Sequence, residues 1–521
     1  PTPAPRGVLA SSPSPMRRRL LPLVIAAVLA ALLPAAGASG ETAFTFYGAG
    51  YGHGLGMSQW GAYGLAKAGW TADQILAHYY TGTELGPTPL AEPLRVGLAN
   101  GKTSFRLSAV DGDLPLAVDG ATVATIPAGQ TWTVLPSGTV GFEVRDGAGA
   151  TVVGPVGSST SPLVATPVAP ARVKLIEVNR SYARGSLEIG LQSCVRTCTL
   201  RAVVAVGLEE FLYGVAEVPG TWPAEALAAQ AIAARTYVTY KALVSQHRSP
   251  CDCAVYASTV DLVYAGYDRE LVAGAAGWMA AVDATAGEVV TYAGAPIQAF
   301  FMSSSGGYTE DNERLWGGTP IPYLRGVCDP GDYVPENPNA TWTVVRSDAD
   351  VTAALKLNVG TVTGFTVESR GVSGRILSVT VTGDAGSATI SGGTFQSRLG
   401  LRDDRVWIGK NLLVTGEMRE KYDALACAPG QPTTPQTVVA GGLRQKFERG
   451  SIFQGSGLGA YALSGPVLDF YLSKKGPRGE LGFPISDVRT LANGATRARF
   501  EGGIVTCKPA GTPCRIGIPT A

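Results

Sequence analysis

One glutamate lies among apolar residues just ahead of a predicted helix, where a carboxyl group can take part in acid–base chemistry. Glu217 stands in the stretch "GVAEVPGTWP", with valine and alanine before it and valine and proline after it. Burial among such side chains raises the pKa of a carboxyl group, as a general acid requires. The positive amino end of the following helix acts in the opposite direction. The residues alone do not decide between these two effects, so Glu217 is a candidate general acid and a solvent-facing loop carboxylate is the alternative.

A polar loop in "AFFMSSSGGYTEDNERLW" is the second candidate for chemistry, since it follows a predicted strand. Its candidate ligand-binding residues are Ser303, Ser304, Ser305, Gly306, Gly307 and Glu310. Hydroxyl and backbone N–H groups can hydrogen-bond a polyhydroxylated ligand, whereas an ordinary β-turn is the alternative. The chain contains three histidines and no G-x-S-x-G elbow, so serine hydrolase chemistry is not supported.

The third candidate is the glycine-rich segment "GYGHGLGMSQWGAYGLAKAGW", which carries one of the three histidines. Glycines on both sides of His53 allow the backbone to approach a ligand closely, and the imidazole can donate or accept a hydrogen bond. A turn histidine with purely conformational glycines is the alternative. A helix with Thr71 as its N-cap is predicted to follow.

The elements that must position these residues belong to an α+β fold. Residues 93–190 alternate apolar and polar side chains between turn signals, which predicts short antiparallel strands. A long alanine-rich helix is predicted after the loop of Glu217, opening at Thr221 with proline in its first turn. Its apolar face consists of Leu227, Ala231, Ala234 and Val238.

The first 40 residues predict a leader with a signal peptide. Arg17–Arg19 precede an apolar run from Leu20 to Leu33, and small residues follow. Cleavage after Ala38 removes four arginines and no acids, so Lys+Arg falls from 42 to 38 against 41 Asp+Glu. A net charge near −3 offers no basic surface for nucleic acid or for an anionic membrane. The run is too short to span a bilayer comfortably, so we expect an exported protein without a stable membrane span; a retained N-terminal anchor is the alternative.

The eight cysteines of an exported chain indicate disulfides. Two pairs are close enough in sequence to join across tight turns: Cys194 with Cys198, and Cys507 with Cys514. The partners of the other four stay open: Cys251, Cys253, Cys328 and Cys427. His247, Cys251 and Cys253 offer three zinc ligands as an alternative, although no fourth ligand is evident.

The end of the chain contains an internal repeat. "KFERGSI" and "RFEGGIV" recur 53 residues apart, with "LGFP" between them. A period in this range is typical of a repeat module. The preceding stretch "APGQPTTPQTVVAGG" has the composition of a linker.

Three long motifs resemble the sporulation stage II protein D (SpoIID) family, which includes the amidase-enhancer proteins of the Gram-positive wall. They are the glycine-rich segment, the polar loop of residues 303–310, here called the serine loop, and "EEFLYGVAEVPGTWPAEALAAQAIAARTYV". The resemblance covers roughly residues 44–90 and 180–420. In the sporulation members the glycine-rich segment follows an "RLGL" stretch, whereas here it precedes one, so the chain resembles a circularly permuted member. The tail resembles the LGFP cell-wall-associated repeat.

The resemblance implies an exported, wall-associated lytic transglycosylase of peptidoglycan with Glu217 as its catalytic residue and no cofactor. The family usually reads Ser-Glu-Met-Pro where this chain has Ala216 before the acid and Val218 after it. The implied substrate-binding residues are His53, Ser58, Gln59, Ser303, Ser304, Ser305, Gly306, Gly307 and Glu310. Peptidoglycan glycan strands are the implied partner. The alternatives are a non-catalytic wall-binding protein that enhances a wall amidase, and a secreted adhesion protein. Glu310 and Asp311 are candidates for a second carboxyl group, which would favour hydrolysis.

The predicted domain organisation has six parts. They are a leader with a signal peptide (1–40), the Gly-His-Gly segment docking on the catalytic domain (41–90), a β-rich insert or subdomain (91–180), the SpoIID-like catalytic domain (181–427), a linker (428–443) and the LGFP-like wall-associated repeats (444–521).

Overall fold

The computed structural model describes residues 43–91, 93–509 and 513–517. The predicted leader, residues 1–40, lies outside the described residues. Within the described ranges, no helix is both long enough and apolar enough to cross a membrane.

The helices of the described residues are mostly short, with one long exception. They are α1 (Gln59–Lys67), α2 (Ala72–Tyr79), α3 (Leu208–Tyr213), α4 (Ala224–Val244), α5 (Ala275–Ala284), α6 (Asn312–Leu315), α7 (Asp348–Leu355), α8 (Gly392–Leu399), α9 (Gly416–Ala424) and α10 (Gly465–Ser473). The N-cap predicted for α2 is confirmed: Thr71 and Gln74 form a reciprocal capping box.

Two large sheets contain most of the strands between residues 94 and 256. A seven-stranded sheet contains β4 (Leu94–Lys102), β6 (Leu114–Val118), β7 (Ala121–Ile126), β11 (Leu163–Ala165), β14 (Ser186–Gln192), β15 (Thr199–Val206) and β16 (Val255–Tyr256). A six-stranded sheet contains β5 (Phe105–Val110), β8 (Thr131–Ser137), β9 (Gly141–Arg145), β10 (Thr151–Val156), β12 (Arg172–Leu175) and β13 (Arg180–Tyr182).

Smaller sheets complete the fold. Three of them include strands of residues 43–87, here called the first segment. In these sheets β1 (Ala43–Gly48) pairs with β20 (Trp342–Ser347) and β24 (Val406–Ile408), and β2 (Met57–Ser58) pairs with β19 (Phe301–Met302). The third sheet joins β3 (Glu84–Pro87) to β17 (Glu288–Tyr292), which also pairs with β18 (Ala295–Pro296). A separate sheet contains β21 (Val362–Arg370), β22 (Ile376–Gly383) and β23 (Gly386–Ser391). The tail contains β25 (Thr437–Val439), β26 (Gly442–Phe447), β27 (Gly450–Gln454) and β28 (Ala460–Leu463), then β29 (Arg489–Thr490), β30 (Thr496–Phe500), β31 (Gly503–Cys507) and β32 (Cys514–Gly517).

The predicted α+β class is confirmed. Among the described strands, only the pairs β4–β16 and β2–β19 are parallel, and all other pairs are antiparallel. The alanine-rich helix is α4, which begins at Ala224 with Pro223 as its N-cap rather than at Thr221, because the loop of Glu217 extends as far as Pro223.

Helix α4 is apolar on nearly its whole circumference, which is typical of a helix inside a core. Its predicted face, which includes Leu227, Ala231 and Ala234, packs against the two large sheets. The opposite face, through Ala229, Ile232 and Ala233, packs against the first segment. Because strands from both sides of residue 180 share the first of these cores, the predicted boundary there is not a boundary between separate cores.

Residues 43–87 are built into the body through strands and helices. β1 lies between β20 and β24, so the first strand is adjacent to the end of the "RLGLRDDRVW" stretch. Ile75, Leu76, Tyr79 and Tyr80 are buried in one core with residues of α4. In α1, a Cβ atom at Gly64 would overlap the carbonyl group of Gly331, so glycine there permits the close approach. The adjacency of β1 and β24 agrees with permutation, which stays a prediction.

The repeats of the tail begin before residue 444, inside the stretch that was predicted to be a linker. Phe447 pairs with Gly450 in one hairpin, and Phe500 pairs with Gly503 in the other, so the two sequence repeats form matching turns. Each phenylalanine also bridges a proline, Pro432 in the first copy and Pro484 in the second. Residues 428–443 are therefore not a linker, because they contain the first part of the first repeat and strand β25.

Helix α9 attaches the tail to the rest of the chain. Tyr422 of α9 stacks on Phe447, with ring centroids 5.3 Å apart, and both belong to a small core with Met418 and Ile452. Lys421 forms an ion pair with Asp487 at 2.9 Å. A cut inside residues 428–443, which the sequence predicted to be a linker, would therefore expose this core.

Disulfides join all eight cysteines. The predicted pairs Cys194–Cys198 and Cys507–Cys514 are confirmed. The four cysteines whose partners the sequence left open form the pairs Cys251–Cys253 and Cys328–Cys427.

His247 Nδ1, a candidate zinc ligand, lies 2.6 Å from Asp252 Oδ1. With both thiols joined in a disulfide, the three residues of the zinc alternative do not form a set of free metal ligands.

Candidate active site

Glu217 lies in the loop between α3 and α4, and other segments fix that loop by backbone hydrogen bonds. The N–H of Ala216 donates to the carbonyl of Val263 at 2.8 Å. The guanidinium of Arg269 donates to the carbonyls of Val215 (3.2 Å) and Val218 (3.0 Å), one on each side of the acid. The position of the carboxyl group is therefore set by rigid neighbours rather than by a free loop.

The carboxyl group of Glu217 is partly buried and has two donors. The N–H of Val263 donates to Oε1 at 2.6 Å, and the Nε2 amide of Gln59 donates to Oε2 at 3.5 Å. Burial raises the pKa of Glu217, while the hydrogen bonds from Val263 and Gln59 lower it in part. Since desolvation is the largest of these effects, the group holds its proton to higher pH than an exposed glutamate.

The first segment reaches the acid through Gln59 and not through His53. Ser58 caps α1 by accepting a hydrogen bond from the N–H of Gly61, and Gln59 is the first residue of that helix. Among the described residues, the side chain that hydrogen-bonds the Glu217 carboxyl is that of Gln59. The predicted substrate-binding residue Gln59 is thus positioned beside the predicted acid.

His53 lies among other aromatic rings. Its ring packs against Trp316 and Phe300, with centroids 5.3 and 6.1 Å away, and Nδ1 accepts a hydrogen bond from the N–H of Leu55 at 3.1 Å. Burial lowers the pKa of His53 to about 4, so the imidazole is neutral. It lines a cavity of about 180 Å³ together with Trp316 and Asp404. Glu217 is not among the described residues that line this cavity, so the structure does not bring His53 to the acid.

Three of the predicted substrate-binding serines are fully buried. Ser58 and Ser304 donate to Asp332 at 2.8 Å each, and Ser305 donates to Asp329 at 2.6 Å. None of these serine side chains is exposed to solvent. The prediction that they contact substrate is wrong for this conformation, because each hydroxyl is used to join the first segment and the serine loop to residues 329–332.

Other residues of the serine loop are held by hydrogen bonds to their backbone carbonyl groups. Ser303 is partly exposed, and its carbonyl accepts a hydrogen bond from the N–H of Trp60 at 3.0 Å. Gly306 and Gly307 are buried. Arg405 donates to the carbonyl of Gly306 at 2.6 Å. Ser303 is therefore the one serine of this loop with a side chain that solvent can reach.

Glu310 is fully buried and bonded to a neighbouring turn. Its carboxyl oxygens accept hydrogen bonds from the backbone of Val372 (2.9 Å) and from the backbone (3.1 Å) and hydroxyl (2.6 Å) of Ser373. Asp311, the other candidate for a second carboxyl group, accepts a hydrogen bond from the N–H of Gly326 at 2.8 Å and faces Arg325. Because Glu310 is fully buried, the predictions that it binds substrate or acts as a second carboxyl group are both corrected.

Aromatic rings beside Gln59 are the functional candidates that the sequence reading missed. Trp60 of α1 and Trp222, five residues after Glu217, have ring centroids 4.8 Å apart. Tyr63 lies 5.2 Å from Trp60 and 5.1 Å from Trp222. The sequence contained one indication of their role, because each tryptophan is close in sequence to Gln59 or to Glu217.

Comparisons with known proteins match two separate parts of the chain. The family model for stage II sporulation protein (SpoIID) matches residues 197–292, which include Glu217 and α4, and the LGFP repeat model matches residues 430–479. The resemblance predicted from the sequence is confirmed for these two matched parts of the chain. The LGFP match begins near Pro432, as the paired hairpins of the tail require.

Curated relatives are similar over part of the chain. Stage II sporulation protein D of Bacillus subtilis (strain 168) is 35% identical over 184 residues, which is 32% of this chain and 52% of the relative. The amidase enhancer of the same organism is 35% identical over 131 residues, 25% of this chain and 16% of the relative. Stage II sporulation protein D of Bacillus amyloliquefaciens is 34% identical over 148 residues, 25% of this chain and 41% of the relative. The chain thus spans about half of the first relative and less of the others.

Proposed function

We propose that this protein acts in the bacterial cell wall as a lytic transglycosylase that cleaves peptidoglycan glycan strands. The similarity to stage II sporulation protein D, the similarity to an amidase enhancer and the LGFP repeat together support a cell-wall-related role. Export into the wall fits the disulfides, since these persist in oxidising compartments. The LGFP repeat is then the part of the chain that associates with the wall.

The proposed reaction uses Glu217 first as an acid and then as a base. The protonated carboxyl gives its proton to the oxygen between N-acetylmuramic acid and N-acetylglucosamine, and the C–O bond to muramic acid C1 breaks. The resulting oxocarbenium-like centre is attacked by the C6 hydroxyl of the same sugar. That hydroxyl loses its proton to Glu217, so the product is a 1,6-anhydro end and the enzyme returns to its starting state.

One observation carries this proposal: Glu217 is a partly buried carboxyl group with a raised pKa, and among the described residues its hydrogen-bond partners are Val263 and Gln59 rather than a second carboxyl group. Ordinary glycosidases use two carboxyl groups, one of which activates water or attacks the sugar. Asp261, two residues before Val263, accepts hydrogen bonds from Tyr237 and Arg248 at 2.8 Å each and is almost completely buried. An internal hydroxyl attack requires one carboxyl group, which is what the described residues around Glu217 offer.

A non-catalytic role as an enhancer of a wall amidase is the second candidate. Both hydrogen bonds to Glu217 come from N–H groups, and such bonds favour the ionised carboxylate over the acid. Ala216 also lacks the hydroxyl that the family usually has next to the acid. The named amidase enhancer among the relatives favours this candidate as well.

Purified glycan strands without stem peptides separate the two candidates. An amidase has no bond to cut in this substrate, whereas a transglycosylase shortens it. We expect the purified chain to shorten the strands on size-exclusion chromatography without any added enzyme. Unchanged strand length, together with faster release of stem peptides from whole walls by an added amidase, would favour the enhancer instead.

Replacing Gln59 by leucine is expected to move the falling limb of the pH–rate profile to higher pH. The amide of Gln59 stabilises the charged form of Glu217, so its loss raises the pKa of the acid further. The acid form is the reactive one, and kcat/KM falls as pH rises through its pKa.

The measurement is kcat/KM for strand shortening across pH, compared with a Gln130→Leu control. Gln130 is exposed and lies far from Glu217 in the sequence. Its side-chain oxygen accepts a hydrogen bond from the indole N–H of Trp132. The control should keep the wild-type profile. A falling limb that stays in place or moves to lower pH in Gln59→Leu would mean that this amide does not act on the acid.

A further inference from the structure

Trp60, Tyr63 and Trp222, here called the aromatic cluster, come from two distant segments and meet at the surface. Trp60 and Tyr63 are on α1, and Trp222 is in the loop that carries Glu217. Their centroids are 4.8 to 5.2 Å apart, with the ring planes inclined at 49° to 66°. All three side chains are partly exposed.

The aromatic cluster is not explained by the packing of the cores. Trp222 packs at the margin of the core around the large sheets, but Trp60 and Tyr63 are in neither of the two cores that enclose α4. Their ring contacts are with each other and with Trp222. Large aromatic groups that remain partly exposed beside a candidate acid are a feature of ligand sites.

The aromatic cluster is continuous with the candidate active site. Trp60 follows Gln59, whose amide contacts the carboxyl of Glu217, and Trp222 lies on the same loop as Glu217. Trp60, Tyr63 and Lys67 follow one another along one side of α1, over about 10 Å at the usual rise per residue. The three rings form a compact group next to the two segments that carry Gln59 and Glu217.

The charges beside the rings are balanced. Lys67 forms an ion pair with Glu336 at 2.6 Å, and its ammonium group lies 5.5 Å from the centre of the Tyr63 ring. This pair lies against Tyr63, and its two opposite charges balance each other. Such a surface suits the uncharged rings of a glycan better than the carboxylates of a stem peptide.

We propose that the aromatic cluster is a glycan-binding subsite, where Trp60, Tyr63 and Trp222 pack against the apolar C–H faces of sugar rings next to the bond that is cleaved. The inference rests on the proposed function for the place of cleavage, but the binding itself does not require cleavage. Rigid aromatic rings offer a large apolar contact at little entropic cost, which fixes the register of the strand relative to Glu217.

Binding is tested in the Glu217→Gln background, which cannot donate the catalytic proton. Isothermal titration with the N-acetylglucosamine tetrasaccharide should give a Kd that rises about tenfold when Trp222→Ala or Trp60→Ala is added, the size of one aromatic contact. Trp222→Phe should keep most of the affinity. Because Trp222 touches a core, Tyr63→Ala is included as a variant on the exposed side of α1 that does not depend on that packing.

Tyr292→Ala is the matched control, since Tyr292 is an exposed ring whose described aromatic partner is Tyr323 and not a member of the aromatic cluster. It should leave Kd unchanged. Equal affinity of the parent and all three alanine variants, or no binding by the parent, would overturn the subsite. Binding that depends on the aromatic cluster without strand shortening by the wild-type chain would support the subsite while contradicting the proposed function.

Discussion

Replacing Glu217 by glutamine removes strand shortening, with a loss of about 10²–10⁴-fold in rate, the usual contribution of a positioned general acid. Glutamine has nearly the same volume and still accepts the hydrogen bond from Val263, so the loop keeps its shape. It cannot transfer a proton to the glycosidic oxygen. The measurement is the initial rate of shortening of purified strands, with thermal unfolding to verify that the variant is folded.

Glu288→Gln is the matched control for removal of one negative charge. The side chain of Glu288 is exposed on β17. This control should keep the wild-type rate. If Glu217→Gln shortened strands at a rate near that of the wild-type chain, Glu217 would not be the acid and the proposed mechanism would fail.

Replacing Asp332 by alanine should lower the free energy of unfolding by at least about 3 kcal/mol. The carboxylate of Asp332 accepts four hydrogen bonds, from the hydroxyls of Ser58 and Ser304 and from the N–H groups of Ser305 and Gly306. All of these donors are buried, and a buried donor left without a partner costs about 1–3 kcal/mol. Denaturant unfolding measures the change.

Asp469→Ala is the control, because Asp469 is an exposed acid on α10. It should change the free energy of unfolding by less than about 0.5 kcal/mol. A similarly small change for Asp332→Ala would mean that the first segment and the serine loop do not depend on this buried carboxylate. Their integration into the body would then need another explanation.

Local sequence predicted those features that depend on near neighbours. The apolar surroundings of Glu217, the N-cap Thr71 and the buried face of α4 with Leu227 and Ala231 follow from residue types within one or two turns. Hairpin disulfides such as Cys194–Cys198 follow from spacing alone. Each of these features was therefore accessible before any tertiary contact was known.

Features that depend on burial by distant segments were not accessible in the same way. Ser304, Ser305 and Glu310 are polar and follow a strand, which is equally typical of a binding loop and of a buried hydrogen-bond network. Their partners lie 24 to 63 residues away in the chain. Only the fold decides between the two, and it assigns these side chains to the interior.

Amino-acid composition alone did not predict where the tail begins. The proline and threonine content around Pro432 is typical of a linker, but the bridge from Pro432 to Phe447 matches the bridge from Pro484 to Phe500. Proline therefore occupies the same place in both copies of the repeat. Comparing the two copies, rather than their composition, would have located the start of the tail.

The central claim is that Glu217 drives an internal attack by the C6 hydroxyl, and the chemistry of the new chain ends tests it most directly. Purified glycan strands without stem peptides are digested with the wild-type chain, and the products are analysed by mass spectrometry before and after borohydride reduction. The account predicts 1,6-anhydro muramic acid ends, which borohydride does not reduce. New reducing muramic acid ends would identify a hydrolase, and the absence of new ends would identify a non-catalytic protein; either result would contradict the account.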